Sequence, residues 1–224
     1  MGNQGFIRDQ KMKALDDRTF DVQRPNMRVT VHLSGIGAEN ARKSCEYLAD
    51  QVFRGTVNVL ISTGFACGLK PEIKPGDITV DFGRSDISIA EKLDRISARL
   101  GTGFHKGVFW CANRPLMSAK DKHAISQKSG AIAGEMESQS VYEFCKNRKI
   151  SFGSFRAVSD ALDQNLPSAA LRLSPDGSAG FGFWKTVFTN PAEWPDLIRL
   201  SRSAHAAEKN LRRALELFLK EIES

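Results

Sequence analysis

Apolar and polar positions alternate along RVTVHLS, with Val29, Val31 and Leu33 on one face, and the alternation breaks at Gly35-Ile36-Gly37. An apolar periodicity through Cys45, Leu48 and Val52 follows, so the pattern predicts strand, glycine turn, helix. The run VNVLIST from Val57 is too continuously apolar for a half-exposed strand, which predicts a central strand covered on both faces and stopping at GFACGL. Pro71, Pro75 and Gly76 punctuate a turn before the strand candidate DITVDF; Ile89, Leu93, Ile96 and Leu100 then mark one face of a helix that Gly101 ends. KGVFWCA reads as the next strand. Ser118 with Asp121 three residues on has the form of a capping box for a helix to about Lys128, closed by Gly130. GAIAGEM reads as a short buried strand, Met136, Ser140, Val141, Phe144 and Cys145 as the inner stripe of a helix, and ISFGSFRAVSD as a returning strand.

This alternation of strands and helices predicts an α/β sheet with helices on both faces. From Leu162 to about Pro195 the pattern weakens into a stretch rich in Pro, Gly, Ser and aromatics, and the chain ends in a long amphipathic helix carrying Leu197, Leu200, Leu211, Leu215 and Phe218. There is no internal repeat and no low-complexity tail. A length of 224 residues suits one large α/β domain, and 41% hydrophobic with 26% charged residues is ordinary for a globular chain.

Charge and cysteines alter this picture little. The net charge is +6 with a pI near 9.2, but the basic residues are scattered except toward the C-terminus and no nucleic-acid motif accompanies them, which argues against a nucleic-acid partner. Cys45, Cys67, Cys111 and Cys145 form no CxxC pair and lie in apolar or helical contexts, so neither a metal site nor a disulfide framework is expected, and a reducing cytoplasm fits. No apolar run approaches the roughly 18 residues a membrane span needs, and the polar start MGNQGFIRDQK lacks the hydrophobic core of a signal peptide.

The candidate chemistry lies in two glycine loops and a pair of carboxylates. GIG at residues 35–37 and GFACG at residues 64–68 both follow strands, where backbone amides can face an anion or a polar ligand edge. Tight turns explain either one alone; their joint placement is more suggestive, because ligands of open α/β sheets gather beyond the carboxyl ends of the strands. Glu137 at a helix start serves as a dipole partner for free amides, or equally as an acceptor of two sugar hydroxyls. Asp160 closes an apolar strand, where desolvation favours the protonated form and makes it a proton donor; alone, it would read as a helix N-cap.

GEMES, RAVSD and ISTGFACGLKPEIKPGDITV together resemble the nucleoside phosphorylase and nucleosidase superfamily, in order and spacing, over about residues 29 to 163. DALDQNLPSAALRLSPDGS, followed by a Trp/Phe-rich segment and a basic helix, looks like its hopanoid-associated branch, which is credited with removing adenine from adenosylhopane. The resemblance implies a three-layer nucleoside phosphorylase-like fold, a central mixed twisted sheet flanked by helices, forming a single domain over residues 1–224. Residues 165–224 would be its aromatic and basic helical C-terminal extension.

Carried over by residue, the resemblance makes Met136 and Glu137 the ribose contacts, with Glu137 on the 2′- and 3′-hydroxyls. Asp160 becomes the acid at purine N7, supported by Ser159 and Arg156. Phe65, Ala66 and Cys67 would lie along base and sugar, Gly35 would join the binding residues, and residues 113–116 would close over the base. It implies no cofactor or metal, inorganic phosphate as a candidate co-substrate, and a homodimer or higher homo-oligomer. The alternatives are a methylthioadenosine/S-adenosylhomocysteine nucleosidase and a catalytically silent nucleoside-binding relative.

Two departures from the superfamily pattern bear on the nucleophile. Where nucleosidases carry a water-positioning glutamate, the best-matching position holds Gln10 beside Asp9, and an amide orients water without accepting its proton. Where phosphorylases hold phosphate, the matching positions are Ser62 and Phe65, leaving Arg8 or the amides of residues 34–37 as the other candidates. Phe181, Phe183, Trp184, Phe188 and Trp194, followed by Arg199, Arg202, Lys209, Arg212, Arg213 and Lys220, read either as core and dimer packing with a solvated basic face or as an apolar entrance. In the second reading a basic surface makes peripheral contact with an anionic membrane and admits a lipid-linked nucleoside.

Overall fold

Nine strands and seven α-helices are laid out in the computed structural model, which describes residues 4–52, 57–172 and 180–223. The end of DALDQNLPSAALRLSPDGS, from Leu173, lies outside the described residues. The chain starts with α1 (Gln4–Asp9) and a small antiparallel sheet of β1 (Lys13–Ala14), β2 (Thr19–Gln23) and β3 (Arg28–His32). Only β3 is visible in the apolar pattern. The first two strands are short and rich in charged or polar residues, and what holds β2 to β3 is a ladder from Thr19–His32 to Gln23–Arg28. Gly35 (φ 82°) and Gly37 (φ 97°) then turn the chain into α2 (Ala38–Tyr47), in a backbone conformation that glycine alone adopts without strain.

The main sheet comprises β4 (Val59–Gly68), β5 (Ile78–Asp81), β6 (Phe104–Gly107), β7 (Phe109–Cys111), β8 (Ala133–Glu135) and β9 (Ser151–Asp160) in the spatial order β6-β5-β9-β4-β8-β7. It is mixed: β9 runs parallel to β4 and antiparallel to β5, while β8 runs antiparallel to β4. Between the strands lie α3 (Ile87–Leu100), α4 (Ala119–Ser129) and α5 (Ser138–Arg148). Ser118 Oγ caps α4 by accepting from the Asp121 amide, and Gly101 and Gly130, both left-handed, end α3 and α4, as their positions in the pattern predict. Beyond β9, α6 (Phe181–Thr189) precedes the 30-residue α7 (Trp194–Glu223).

Two helix pairs cover the sheet. Ile89, Leu93 and Ile96 of α3 and Ala207, Leu211, Ala214 and Phe218 of α7 pack on Ile78, Val80, Phe155 and Ala157. On the opposite face Ala41 and Cys45 of α2 join Val141 and Cys145 of α5 over Phe152. The result is the expected three-layer α/β arrangement, a central mixed sheet flanked by helices. The second half of α7 belongs to the main core, whereas α6 buries no residue.

The structure corrects two sequence expectations. KGVFWCA forms two strands, β6 and β7, at opposite edges of the sheet. GFACG is not a loop: β4 continues through it to Gly68, paired with β9 as far as Cys67 and with β8 at Cys67 and Gly68. A β-bulge between Ala66 and Cys67 brings Cys67 opposite Asp160, so the glycines here serve a bent strand end.

Candidate active site

Glu135 and Glu137 stand at the end of β8 and the start of α5, and Arg156 lies on the face of β9 turned toward them. Arg156 is 1% exposed. Its Nη2 donates to Glu135 Oε2 at 2.8 Å and to Ser62 Oγ at 2.9 Å, and lies 3.8 Å from Glu137 Oε2. Glu135 also accepts from Ser138 Oγ (2.6 Å) and from the amides of Ser138 (2.7 Å) and Glu137 (2.9 Å). Burial pushes the Glu135 carboxyl up, but Arg156 foremost, with the Ser138 hydroxyl and those amides, reverses this and leaves it below the usual carboxylate value. Glu135 is therefore the internal anchor of the α5 start, a role the sequence reading left unassigned.

Glu137 is placed differently. Its Oε1 accepts from the Gly37 amide at 2.7 Å, joining the GIG turn to the GEMES segment across 100 residues of chain. Burial raises the Glu137 carboxyl above its ordinary value, against the opposing pull of Arg156 and the Gly37 amide. With one short bond to the protein at Oε1 and a partly exposed side chain, Glu137 keeps acceptor capacity for further donors. Gly35 lies in the same turn, its carbonyl accepting from Ser34 Oγ at 3.0 Å.

At the carboxyl end of β9, Asp160 is buried and both its oxygens are engaged. Ser159 Oγ donates to Oδ1 at 2.6 Å, and Lys122 Nζ, from α4, pairs with Oδ2. Lys122 is fully buried and also donates to the carbonyls of Ala161 (3.0 Å) and Gln164 (2.7 Å). The sequence reading, which expected desolvation to leave Asp160 a neutral proton donor, missed this cation. The signal is faint: Lys122 is one of three lysines in SAKDKHAISQK, and only its burial in the fold, against Asp160, Ala161 and Gln164, distinguishes it. No helix follows Asp160 directly, so it is not an N-cap.

Not all the predicted binding residues converge. Phe65 packs against the α3/α7 core. Ala66 is buried with Phe109 and Ala133, and its carbonyl accepts from Ser159 Oγ at 3.2 Å. Cys67 packs with Leu69, Ala131 and Leu116, and burial pushes its thiol up to about 12. Leu116 thus covers the end of β4, while Asn113 is exposed. Gln10 lies elsewhere: it accepts from Arg24, which also binds Glu223 at 3.0 Å near the end of α7, and Asp9 pairs with Arg212. The segment expected to handle the nucleophile is therefore fastened to the helix on the far face of the sheet, and Arg8 lies exposed on the same α1. Beside the GIG turn an open groove of about 430 Å³ is lined by Asp16, Arg18, His32, Ser34, Lys43 and Tyr47 among others, but not by Glu137, Arg156 or Asp160. Among the described residues no cluster of His, Cys, Asp and Glu is arranged to hold a metal ion, the four cysteines are free, and no helix is long and apolar enough to cross a membrane.

Residues 84–173 match the family model of the Phosphorylase superfamily. The 5′-methylthioadenosine/S-adenosylhomocysteine nucleosidase of Neisseria meningitidis, solved with methylthio-immucillin-A, superposes with a TM-score of 0.73 at 19% identity over 98% of this chain and 94% of its own. The corresponding nucleosidase of S. pneumoniae, solved with a transition-state inhibitor, gives 0.71 at 16% identity over 99% and 95%. Futalosine hydrolase of Helicobacter pylori gives 0.66 at 16% over 96% and 93%. At these identities the likeness to each is one of fold. The family model thus matches residues 84–173, while the fold shared with these structures extends over nearly the whole chain.

Proposed function

We propose that the protein cleaves the N-glycosidic bond of a purine nucleoside, with adenosylhopane as substrate and adenine as the released base. The observation that carries the reading is the separate holding of two carboxylates on either side of β4, Glu137 just beyond β8 and Asp160 at the end of β9. Glu137 is held by the Gly37 amide with acceptor capacity to spare, and Asp160 is held by Ser159 and Lys122 beside the bulged end of β4. Breaking the bond leaves oxocarbenium character on the sugar and an electron pair on the base. A carboxylate at the ribose side stabilises the first and a proton at N7 the second. In this reading Glu137 and Met136 hold the ribose, Arg156 and Glu135 keep the start of α5 in place, and Asp160 with Ser159 serves the base.

Ala66, Cys67 and Gly35 remain proposed as walls and backbone of the binding site; Phe65, turned toward α3 and α7, would contribute through its backbone. The acceptor at C1′ is water or inorganic phosphate, and no cofactor enters the step. Gln10, tied to Arg24, is not the group that positions it. The lipid-linked substrate is favoured by the C-terminal sequence resemblance and by α6, where Phe181 (85% exposed), Trp184 and Phe188 are exposed and Trp184 stacks at a tilt on Phe188. A methylthioadenosine/S-adenosylhomocysteine nucleosidase is the second reading, favoured by the named activities of the structural neighbours.

Incubation of purified protein with adenosylhopane, methylthioadenosine and S-adenosylhomocysteine, with and without phosphate, separates these readings when free adenine and the sugar product are quantified. Adenine from adenosylhopane alone is expected, a phosphorylated sugar identifies phosphorolysis, and no adenine from any substrate refutes both enzyme readings. Asp160→Asn is expected to lower kcat by about a hundredfold or more; unchanged turnover removes Asp160 from the reaction.

A further inference from the structure

The one fully buried lysine among the described residues is joined to the carboxylate proposed to serve the base. Its setting is unusually complete. Lys122 has three N–H groups, and Asp160 Oδ2 and the carbonyls of Ala161 and Gln164 give it three acceptors. Asp160 in turn has its other oxygen on Ser159 Oγ. The remaining titratable neighbour coupled to the pair, Cys67, has its thiol raised to about 12 and brings no charge at neutral pH. A buried ion pair is weak evidence of stabilisation, because taking both charges out of water offsets much of their attraction. What the arrangement does provide is a lysine ammonium in direct hydrogen-bond contact with the carboxylate proposed to serve the base.

Resting on the nucleoside-cleavage reading, we propose that Lys122 is the proton store of the reaction, a positioning residue that acts through Asp160. As the C1′–N9 bond breaks and its electron pair moves onto the base, the Nζ proton passes to the Asp160 carboxylate and a carboxyl proton goes to N7. Lys122 is left as a neutral amine that still donates to the carbonyls of Ala161 and Gln164. Attack of water at C1′ releases one proton to solvent, and Lys122 takes one up, so the cycle closes with nucleoside and water converted to free base and sugar. Ser159 orients the carboxylate during the transfer.

The test divides substrates by leaving group. A purine nucleoside that the wild type cleaves needs a proton on the base, whereas 4-nitrophenyl riboside departs as a stable phenolate and needs none. Lys122→Gln is expected to reduce kcat/KM for the purine nucleoside by about a hundredfold or more, the worth of a positioned general acid. The loss on the nitrophenyl riboside is expected to be at least tenfold smaller. Equal losses on both substrates would mean that Lys122 only holds the structure, and no loss on the purine nucleoside would also overturn the proposal. Should Lys122→Gln fail to fold in a thermal melt, Lys122→Arg supplies the second arm: it keeps the positive charge but holds its proton too tightly to give it up. It is expected to show the same split between leaving groups, and full purine activity in Lys122→Arg would overturn the proposal. Wild-type protein that cleaves a purine nucleoside no faster than Lys122→Gln does places the failure in Lys122 alone. Wild-type protein that cleaves neither the purine nucleoside nor the nitrophenyl riboside places it in the underlying nucleoside-cleavage reading.

Discussion

Replacing Arg156 by methionine keeps most of the side-chain volume and removes the cation that holds the GEMES segment. In the wild type the guanidinium bonds Glu135 Oε2 (2.8 Å), Ser62 Oγ (2.9 Å) and the Phe155 carbonyl (3.3 Å), with 1% of the residue exposed. Truncating one partner of a buried pair costs about 3–5 kcal/mol, because the other charge is left unpaired. Glu135 retains the Ser138 hydroxyl and two amides, so the lower end of that range, about 3 kcal/mol, is expected at neutral pH. In a chain of this size that corresponds to a fall in Tm of roughly 6–12 °C. The folded state holds Glu135 below its ordinary value of 4.5, so its contribution is present above that value and is lost as pH falls through the depressed one. Without Arg156 the depression shrinks, and the gap between variant and wild type should narrow in urea melts run from pH 7.5 to pH 4. Combining Arg156→Met with Glu135→Gln should cost less than the sum of the two single changes. A single-variant cost below about 1 kcal/mol, or strict additivity in the double-mutant cycle, would refute the assignment of this pair as the anchor.

Two further outcomes follow from the same geometry. The folded state raises the Glu137 carboxyl, so at pH 7 its ionised form weighs against folding, a penalty absent below the ordinary value of 4.5 and growing as pH rises through the raised one. Glu137→Gln should therefore be at least as stable as wild type at pH 7 in thermal melts, while KM for a nucleoside rises roughly ten- to a hundredfold through loss of charge-assisted bonds to the ribose. A variant that is destabilised yet binds normally would contradict this. For the surface of α6, where Phe181, Trp184 and Phe188 are exposed with Lys185 among them, salt-sensitive co-sedimentation with anionic liposomes is expected. Failure to co-sediment even at low salt would count against the lipid-linked substrate.

What could be read from the chain and what could not divide along a physical line. Elements whose apolar residues recur at a fixed period face one side of a core, and that is why α3, with Ile89, Leu93, Ile96 and Leu100 all buried, is legible residue by residue, as are the caps Ser118, Gly101 and Gly130. β1 and β2 carry no such signal, since β1 is held by pairing with β2 and β2 by pairing with β3, and α6 has no buried residue, so neither the strands nor the helix leaves a pattern to find. GFACG misled for a related reason: two glycines in five residues look like a loop, but a strand flanked by β9 and β8 tolerates them and uses the bulge at Ala66 and Cys67 to meet Asp160. The carboxylates were legible because their motif spacing is local, whereas their partners are not. Arg156 reaches Glu135 across 21 residues, Gly37 reaches Glu137 across 100, and Lys122 reaches Asp160 across 38, from a helix whose sequence gives no hint that this lysine is the one turned inward. Those long-range partners decide which oxygens of each acid are already engaged by the protein and which are left for a ligand. A reading of Asp160 from its own strand therefore leaves out the group that sets its chemistry, and the same limit applies to any acid at a strand end whose counter-ion arrives from another layer of the fold.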